Sequence, residues 1–442
     1  MQNEFVCRVA RDAGAAALAV VFASALPAHA QTTRIQQSEQ ILQPAGDVVE
    51  HDSFGTAAAI SGNTMVIGGV NADGNEVGAG AAFIFETIDD AWVQTARLFA
   101  SDGHAEPVPF DPDKFRSDSF GSTVAIAGDT VAVGAPGHNH TGRLANAGAV
   151  YVFRRVHGVW LQEAEMFSPA PSGHDEFGAG QGFGGIGLSG NTLAVTDQGS
   201  GFFQGAAVDV FTRTNGVWTL STRLTVPDDP FFLPSSVAID ANTVAVGSSL
   251  SDSAAAFESG VAYVFRFDEG QWSGPLTLAA GDSTSGAQFG SSLSLRDGLI
   301  AVGAITAPGS TLQSGAVYLY TSEDGVWSEQ AKLVPGDGQD FDNFGVSIAV
   351  SGQTVLVGAN GHTLPAGQVA AGAAYVFRRR DGAWTEVAEL SASDGISGGD
   401  FSAAVAVLDN TLVVGADLQH PLVEGYPGGE AYVYSLNPGR GR

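Results

Sequence analysis

Cysteine and lysine are almost missing from this chain of 442 residues, which holds one cysteine, Cys7, and two lysines, Lys114 and Lys332. Cys7 lies in a leader-like stretch, so the mature chain would carry no thiol, no disulfide and no cysteine-ligated metal. Basic residues number 19 against 47 acidic ones, a net charge of -28. No basic stripe is available to displace counterions from a phosphate backbone, which argues against nucleic acid as a partner. The same shortage disfavours an anionic membrane surface. Long apolar runs are also lacking beyond the first thirty residues, so no membrane span is expected. Nor is there a Gly-x-Ser-x-Gly accompanied by triad partners, a His-Glu-x-x-His or a phosphate-binding loop.

The first thirty residues have the three parts of a secretory signal. Arg8 and Arg11 form the charged part, Ala13 to Leu26 the apolar part, and Ala28-His29-Ala30 the small-x-small cleavage site. Residues 1–30 are therefore set aside as a signal peptide, and the expected address is periplasmic or extracellular.

What the chain has in excess is glycine, 59 residues, and repetition. The stretch Asp118-Ser-Phe-Gly-Ser-Thr-Val-Ala-Ile-Ala-Gly-Asp-Thr-Val-Ala-Val-Gly-Ala-Pro136 returns in altered form along the sequence. Aligned on the turn before the second strand, seven copies centre on Thr64, Thr130, Thr192, Thr243, Leu299, Thr354 and Thr411, about 51 to 66 residues apart. A Phe stands ten residues earlier in Phe54-Gly55, Phe120-Gly121, Phe289-Gly290, Phe344-Gly345 and Phe401-Ser402. The third copy offers both Phe177-Gly178 and Phe183-Gly184, and the fourth has Leu233-Pro234 at the aligned place. Each copy continues with an aromatic, β-branched strand such as Val150-Tyr-Val-Phe153. A fourth strand then begins at Trp92, Trp160, Trp218, Trp272, Trp327 or Trp384.

The inner strands are apolar at nearly every position rather than every second one, so both faces of each small sheet are covered. Seven copies of four short antiparallel strands predict an all-β fold, a seven-bladed β-propeller over residues 31–436. Small residues in the first strand (Ala125, Ala127, Gly128) suit a crowded place near the axis. The seventh copy has no Trp strand, and residues 437–442 form a polar tail. Gln40-Ile-Leu42-Gln-Pro44 resembles Ala331-Lys-Leu333-Val-Pro335. Residues 31–47, with the strand itself near 35 to 43, are therefore expected to supply the outer strand of the last blade and close the ring.

Phe120-Gly121 with Gly134-Ala135-Pro136, and the seven-fold return of that pattern, resemble FG-GAP repeats, the blades of integrin α-subunit heads and of many secreted bacterial proteins. The resemblance covers nearly all of the mature chain. It implies a propeller that serves adhesion or ligand binding. Integrin-type repeats often hold calcium between the first two strands. Here that connection is only Ala127-Gly-Asp129 or Ser351-Gly-Gln353, too short for six to eight oxygens. The family's calcium sites are not carried over, and no cofactor is expected, with calcium at the loop aspartates as the exception to watch.

By strand parity, the long 2–3 and 4–1 connections share one face of the disc, where function commonly resides. Candidate binding residues there are Asp102, Asp118, Asp175, Asp228, Asp337, Asp342, Asp394, His138 and His362. The aspartates two residues before Phe suit turns in which a carboxylate accepts backbone N–H groups. The densest oxygen clusters, Asp337-x-x-Asp340-x-Asp342 and Asn71-x-Asp73-Gly-Asn75-Glu76, are the alternative, as weak cation sites. His138-x-His140, with His362 equivalent to His138, could grip a metal if a carboxylate approached; solvated loop histidines are the commoner case. The tryptophans recur at one place and read as packing residues rather than sugar platforms. The leading expectation is a secreted, non-enzymatic module that binds a protein or glycan through its acidic long-loop face. The rival is a hydrolase or lyase with carboxylates at the axis.

Overall fold

The computed structural model describes residues 35–42, 53–76, 78–108, 111–140, 146–179, 184–199, 205–254, 256–417 and 429–436. The expected signal peptide, the flanks of the closing strand at 31–34 and 43–47, and the expected polar tail lie outside them.

Seven four-stranded antiparallel sheets form the seven blades. Blade 2 is typical. Its strands Thr123–Ala127, Thr130–Ala135, Ala149–Val156 and Val159–Met166 lie side by side in chain order. The first strand of each blade packs on the first strands of its two neighbours, and that of blade 7 packs on that of blade 1, which closes the ring. In blade 7 the outer strand is Gln36–Leu42, paired antiparallel with Glu430–Ser435 from the other end of the chain. The expected closure is therefore present, with both termini committed to one sheet.

There is no single central core. Seven apolar slabs lie between consecutive blades, each built from the facing sides of two sheets. This explains the unbroken apolar strands. Every residue of Thr130–Ala135 and Thr354–Ala359 is buried because both sheet faces are covered. The fourth strands alternate, as Val159–Met166 does, because one face meets water.

The Phe-Gly and Gly-Ala signatures have a packing origin. Phe54, Phe120, Phe177, Phe289, Phe344 and Phe401 are fully buried, and Phe120 sits tilted on Tyr151 and edge-on to Phe153. The following glycine takes a left-handed φ of +96° at Gly121. A Cβ on Gly68 of blade 1 would lie 1.9 Å from the carbonyl oxygen of Gly121 in blade 2. Each Gly-Ala strand end thus touches the next blade's Phe-Gly backbone directly. In blade 3 the buried equivalent is Phe177; Phe183 lies outside the described residues. In blade 4, Phe232 occupies the aromatic place, edge-on to Tyr263, one residue before the Leu233-Pro234 that sequence alignment selected.

One other expectation changes. Gly128 lies in the exposed turn between strands at φ +56°, not at the axis. The tryptophans are half-buried; each seals the outer rim of the slab toward the preceding blade, as Trp327 does over the blade 4–5 slab. The connection from Asp102 to Asp118 contains a hairpin, Ala105–Val108 with Asp111–Ser117. Pro107, Pro109 and Pro112 hide that strand signal in the sequence.

Candidate binding face and its histidine–carboxylate clusters

The 2–3 and 4–1 connections interlock on one face: Asp118 N–H donates to His104 O, Gly137 N–H to Asp118 O, and Gly361 N–H to Asp342 O. Of the candidate residues on this face, Asp102, Asp228, Asp337 and Asp394 are exposed, whereas Asp118, Asp175, Asp342, His138 and His362 are buried. The buried aspartates act as turn anchors. Asp118 Oδ2 accepts from His104 N–H at 2.9 Å, Asp342 Oδ2 from Gln339 N–H at 2.7 Å, and Asp175 from Ser172. The residues of the two oxygen-rich motifs are engaged in separate hydrogen bonds. Asp337 accepts from Tyr375, Asp342 from Gln339 and His362, and the exposed Asp340 from Gln313 N–H. Asp73 closes its own loop onto Gly78 N–H, Asn75 donates to Ser101 O, and Glu76 pairs with His104.

A tyrosine on the third strand organises this face. Its hydroxyl donates to an aspartate of the preceding 4–1 connection: Tyr151 to Asp102, Tyr263 to Asp229, Tyr318 to Asp282, Tyr375 to Asp337 and Tyr432 to Asp394, at 2.6–2.9 Å. Strand register decides what faces that pair from the fourth strand. In blade 5 it is Lys332, whose Nζ lies 2.6 Å from Asp282. The ammonium and Tyr318 outweigh burial and hold the Asp282 carboxyl below its ordinary range. In blade 3, Asp209 replaces the tyrosine and Arg223 bridges it to Asp197, each at 2.9 Å. In blade 7 the Gln40 amide donates to both Asp394 and Glu430.

Blades 2 and 6 differ from the others. The fourth-strand residues opposite Tyr151 and Tyr375 are Glu165 and Glu389. A second carboxylate therefore stands where blades 3, 5 and 7 place a cation or an amide. Between the carboxylates comes a histidine. His138 Nδ1 meets Asp118 Oδ2 at 3.0 Å, and its Nε2 points to Glu165 Oε1 at 3.9 Å. His362 repeats this with Asp342 at 2.8 Å, Glu389 at 3.9 Å and Asp337 at 4.0 Å. Burial pulls both imidazoles down, but the Asp118 or Asp342 hydrogen bond and the surrounding carboxylates leave them above their ordinary value. Burial, reinforced by Asp337, pushes Glu389 up to about 7.

Neither histidine is the solvated loop residue expected from sequence. His140 is only half-buried and stacks on Phe167, with centroids 4.3 Å apart. Sequence reasoning also missed Glu165, Glu389, Tyr151 and Tyr375 as partners. The signal was there: a glutamate stands 27 residues after His138 and again after His362, and no other copy pairs His with Glu in this way.

The axis is of another character. Ala57, Ala58, Val124, Leu293, Ser347 and Val405 are among the residues that line it, with about 50 Å³ between them and no carboxylate or imidazole in the lining. Drug-sized ligands occupy roughly 300–1,000 Å³. The opposite face carries short turns in which aspartates such as Asp89, Asp297, Asp324, Asp381 and Asp409 take left-handed φ values of about 50°. Its acids are interleaved with arginines, and Arg155 is paired with Glu86 and Asp129.

No helix among the described residues is long and apolar enough to cross a membrane. No curated protein matches the chain. The FG-GAP repeat family matches residues 38–85, 110–153, 272–320, 327–377 and 384–434, more than half of the sequence. Each matched unit takes the outer strand or outer connection of one blade and the first three strands of the next. This is why the last unit ends at Tyr434 without a fourth strand and the first begins inside the closing strand of blade 7. The units ending in blades 3 and 4 are not matched; in them the Phe-Gly is crowded by an insertion or replaced by Leu-Pro. With seven blades in phase and five units matched, this chain belongs to the FG-GAP repeat family.

Proposed function

We propose that this protein is a secreted, non-enzymatic binding module that takes a cationic protein or glycan partner on its long-loop face. Propellers of this family commonly serve binding or adhesion. The observation that carries the reading is the contrast between axis and rim. The axis is narrow and lined by small apolar and hydroxyl side chains, whereas exposed aspartates gather on the long connections. Their summed field favours a positively charged surface and weakens as salt rises. The leader at residues 1–30 supports export to the periplasm or the exterior.

The test is a glycan-array and pull-down screen with the mature chain, run at low and high ionic strength. The reading expects a partner whose retention falls with added salt. Turnover of a carbohydrate or ester panel, abolished by substitutions at the axis, would favour the hydrolase or lyase reading instead.

A further inference from the structure

We propose that blades 2 and 6 each hold a divalent transition-metal ion of the zinc class, one bound by His138 Nε2, Asp102 and Glu165, the other by His362 Nε2, Asp337 and Glu389. In each group the three ligand atoms lie within 4.8 Å of one another. The imidazole-to-carboxylate separations of 3.9–4.0 Å are too long for hydrogen bonds. They fit two ligands of one ion, since metal–ligand bonds of about 2.0–2.2 Å place ligands roughly 3–4 Å apart.

The imidazoles are built for this role. Their side chains are 9% and 1% exposed, and each Nδ1 is engaged by the buried Asp118 or Asp342. A neutral ring that donates from Nδ1 turns its Nε2 lone pair toward two carboxylates, an acceptor among acceptors that a cation resolves. Glu165 Oε1 is buried there without a hydrogen-bond partner. Tyr151 and Tyr375 fix the remaining ligands by donating to Asp102 and Asp337. Blades 3 and 5 supply the internal comparison, because Arg223 and Lys332 provide at this place the positive charge that blades 2 and 6 lack. One nitrogen and two carboxylate oxygens suit zinc, cobalt or manganese better than calcium, which takes oxygen ligands alone. The exposed Asp102 and Asp337 leave each site open toward the long-loop face.

The competing arrangement is a permanently protonated imidazole serving as the internal cation, and metal titration separates the two. Chelator-treated full chain is titrated at neutral pH with zinc, and with cobalt for its ligand-field spectrum, with calcium as a control. Two equivalents of zinc are expected, raising the Tm, with little competition from calcium. Asp118→Asn and Asp342→Asn should each weaken one site about 10–100-fold by releasing the ring. Glu165→Lys with Glu389→Lys copies the blade 5 arrangement; that variant should fold, melt no lower than the metal-free parent and take up neither ion. Absence of zinc and cobalt uptake by the parent would overturn the proposal in favour of the imidazolium. Uptake that survives the double lysine variant would also overturn it, by placing the metal elsewhere.

Discussion

At the scale of single residues, the constraint that recurs is contact between one blade's backbone and the next. Gly68 has no room for a methyl group, since the Gly121 carbonyl would lie 1.9 Å from it. Gly62, in the neighbouring turn, has nothing within 4 Å of its Cβ position, but a φ of +59°. Gly68→Ala should therefore lower the Tm by many degrees, and Gly62→Ala only by the cost of a left-handed alanine, about 1 kcal/mol. Equal effects in denaturant melts would contradict the blade-contact account. Trp327 tests the rim in the same way. It packs on the blade 4–5 slab while remaining half-buried, so Trp327→Ala should cost about 2 kcal/mol, less than the 3–5 kcal/mol typical of a fully buried aromatic.

Titration also belongs to this scale. Burial, helped by Asp417, pushes Asp400 up to about 6; burial, opposed by Arg223 and helped by Asp197, pushes Asp209 up to about 7. A carboxyl whose folded pKa exceeds its unfolded value binds protons more tightly in the native state. Its contribution is full below about pH 4 and is lost as pH rises through 6 to 7. Stability of the metal-free protein should therefore fall between mildly acidic and mildly alkaline pH, and Asp400→Asn should flatten the profile. A Tm that rises over that interval would show that these groups are charged and satisfied in the native state.

At the scale of elements, the closing strand is the critical piece. Gln36–Leu42 hydrogen-bonds to Glu430–Ser435, and Gln40 reaches Asp394 and Glu430. Deleting residues 31–46 should expose a strand edge and produce aggregation or a large loss of Tm. A soluble variant with parental melting would refute closure by the amino-terminal strand. The blades themselves were legible in the sequence, because apolar strand runs and Trp positions repeat with every copy. The proline-bearing hairpin at 105–117 was not, since proline suppresses the strand pattern. Phe232 was missed because fixed-offset alignment pointed to Leu233-Pro234. The histidine clusters were half legible. His138 and His362 stand out as equivalents, but their burial, and the glutamates facing them across the third strand, follow only from strand register.

At the scale of the whole molecule, the disc has two unlike faces. The short-turn face mixes aspartates that serve left-handed turns with arginines, whereas the long-loop face sets exposed aspartates around a narrow, apolar axis. The direct test of a working long-loop face compares the faces within one binding experiment. Asp228, Asp340 and Asp394 are changed together to Asn, all three being exposed and none belonging to the histidine clusters. Arg378, Arg379 and Arg380 are changed together to Gln in a second variant. Both are measured against a partner recovered in the screen, across a range of salt. The account predicts weaker binding and a flatter salt dependence for the aspartate variant, with the arginine variant unchanged. Loss of binding in the arginine variant, with the aspartate variant intact, would contradict it.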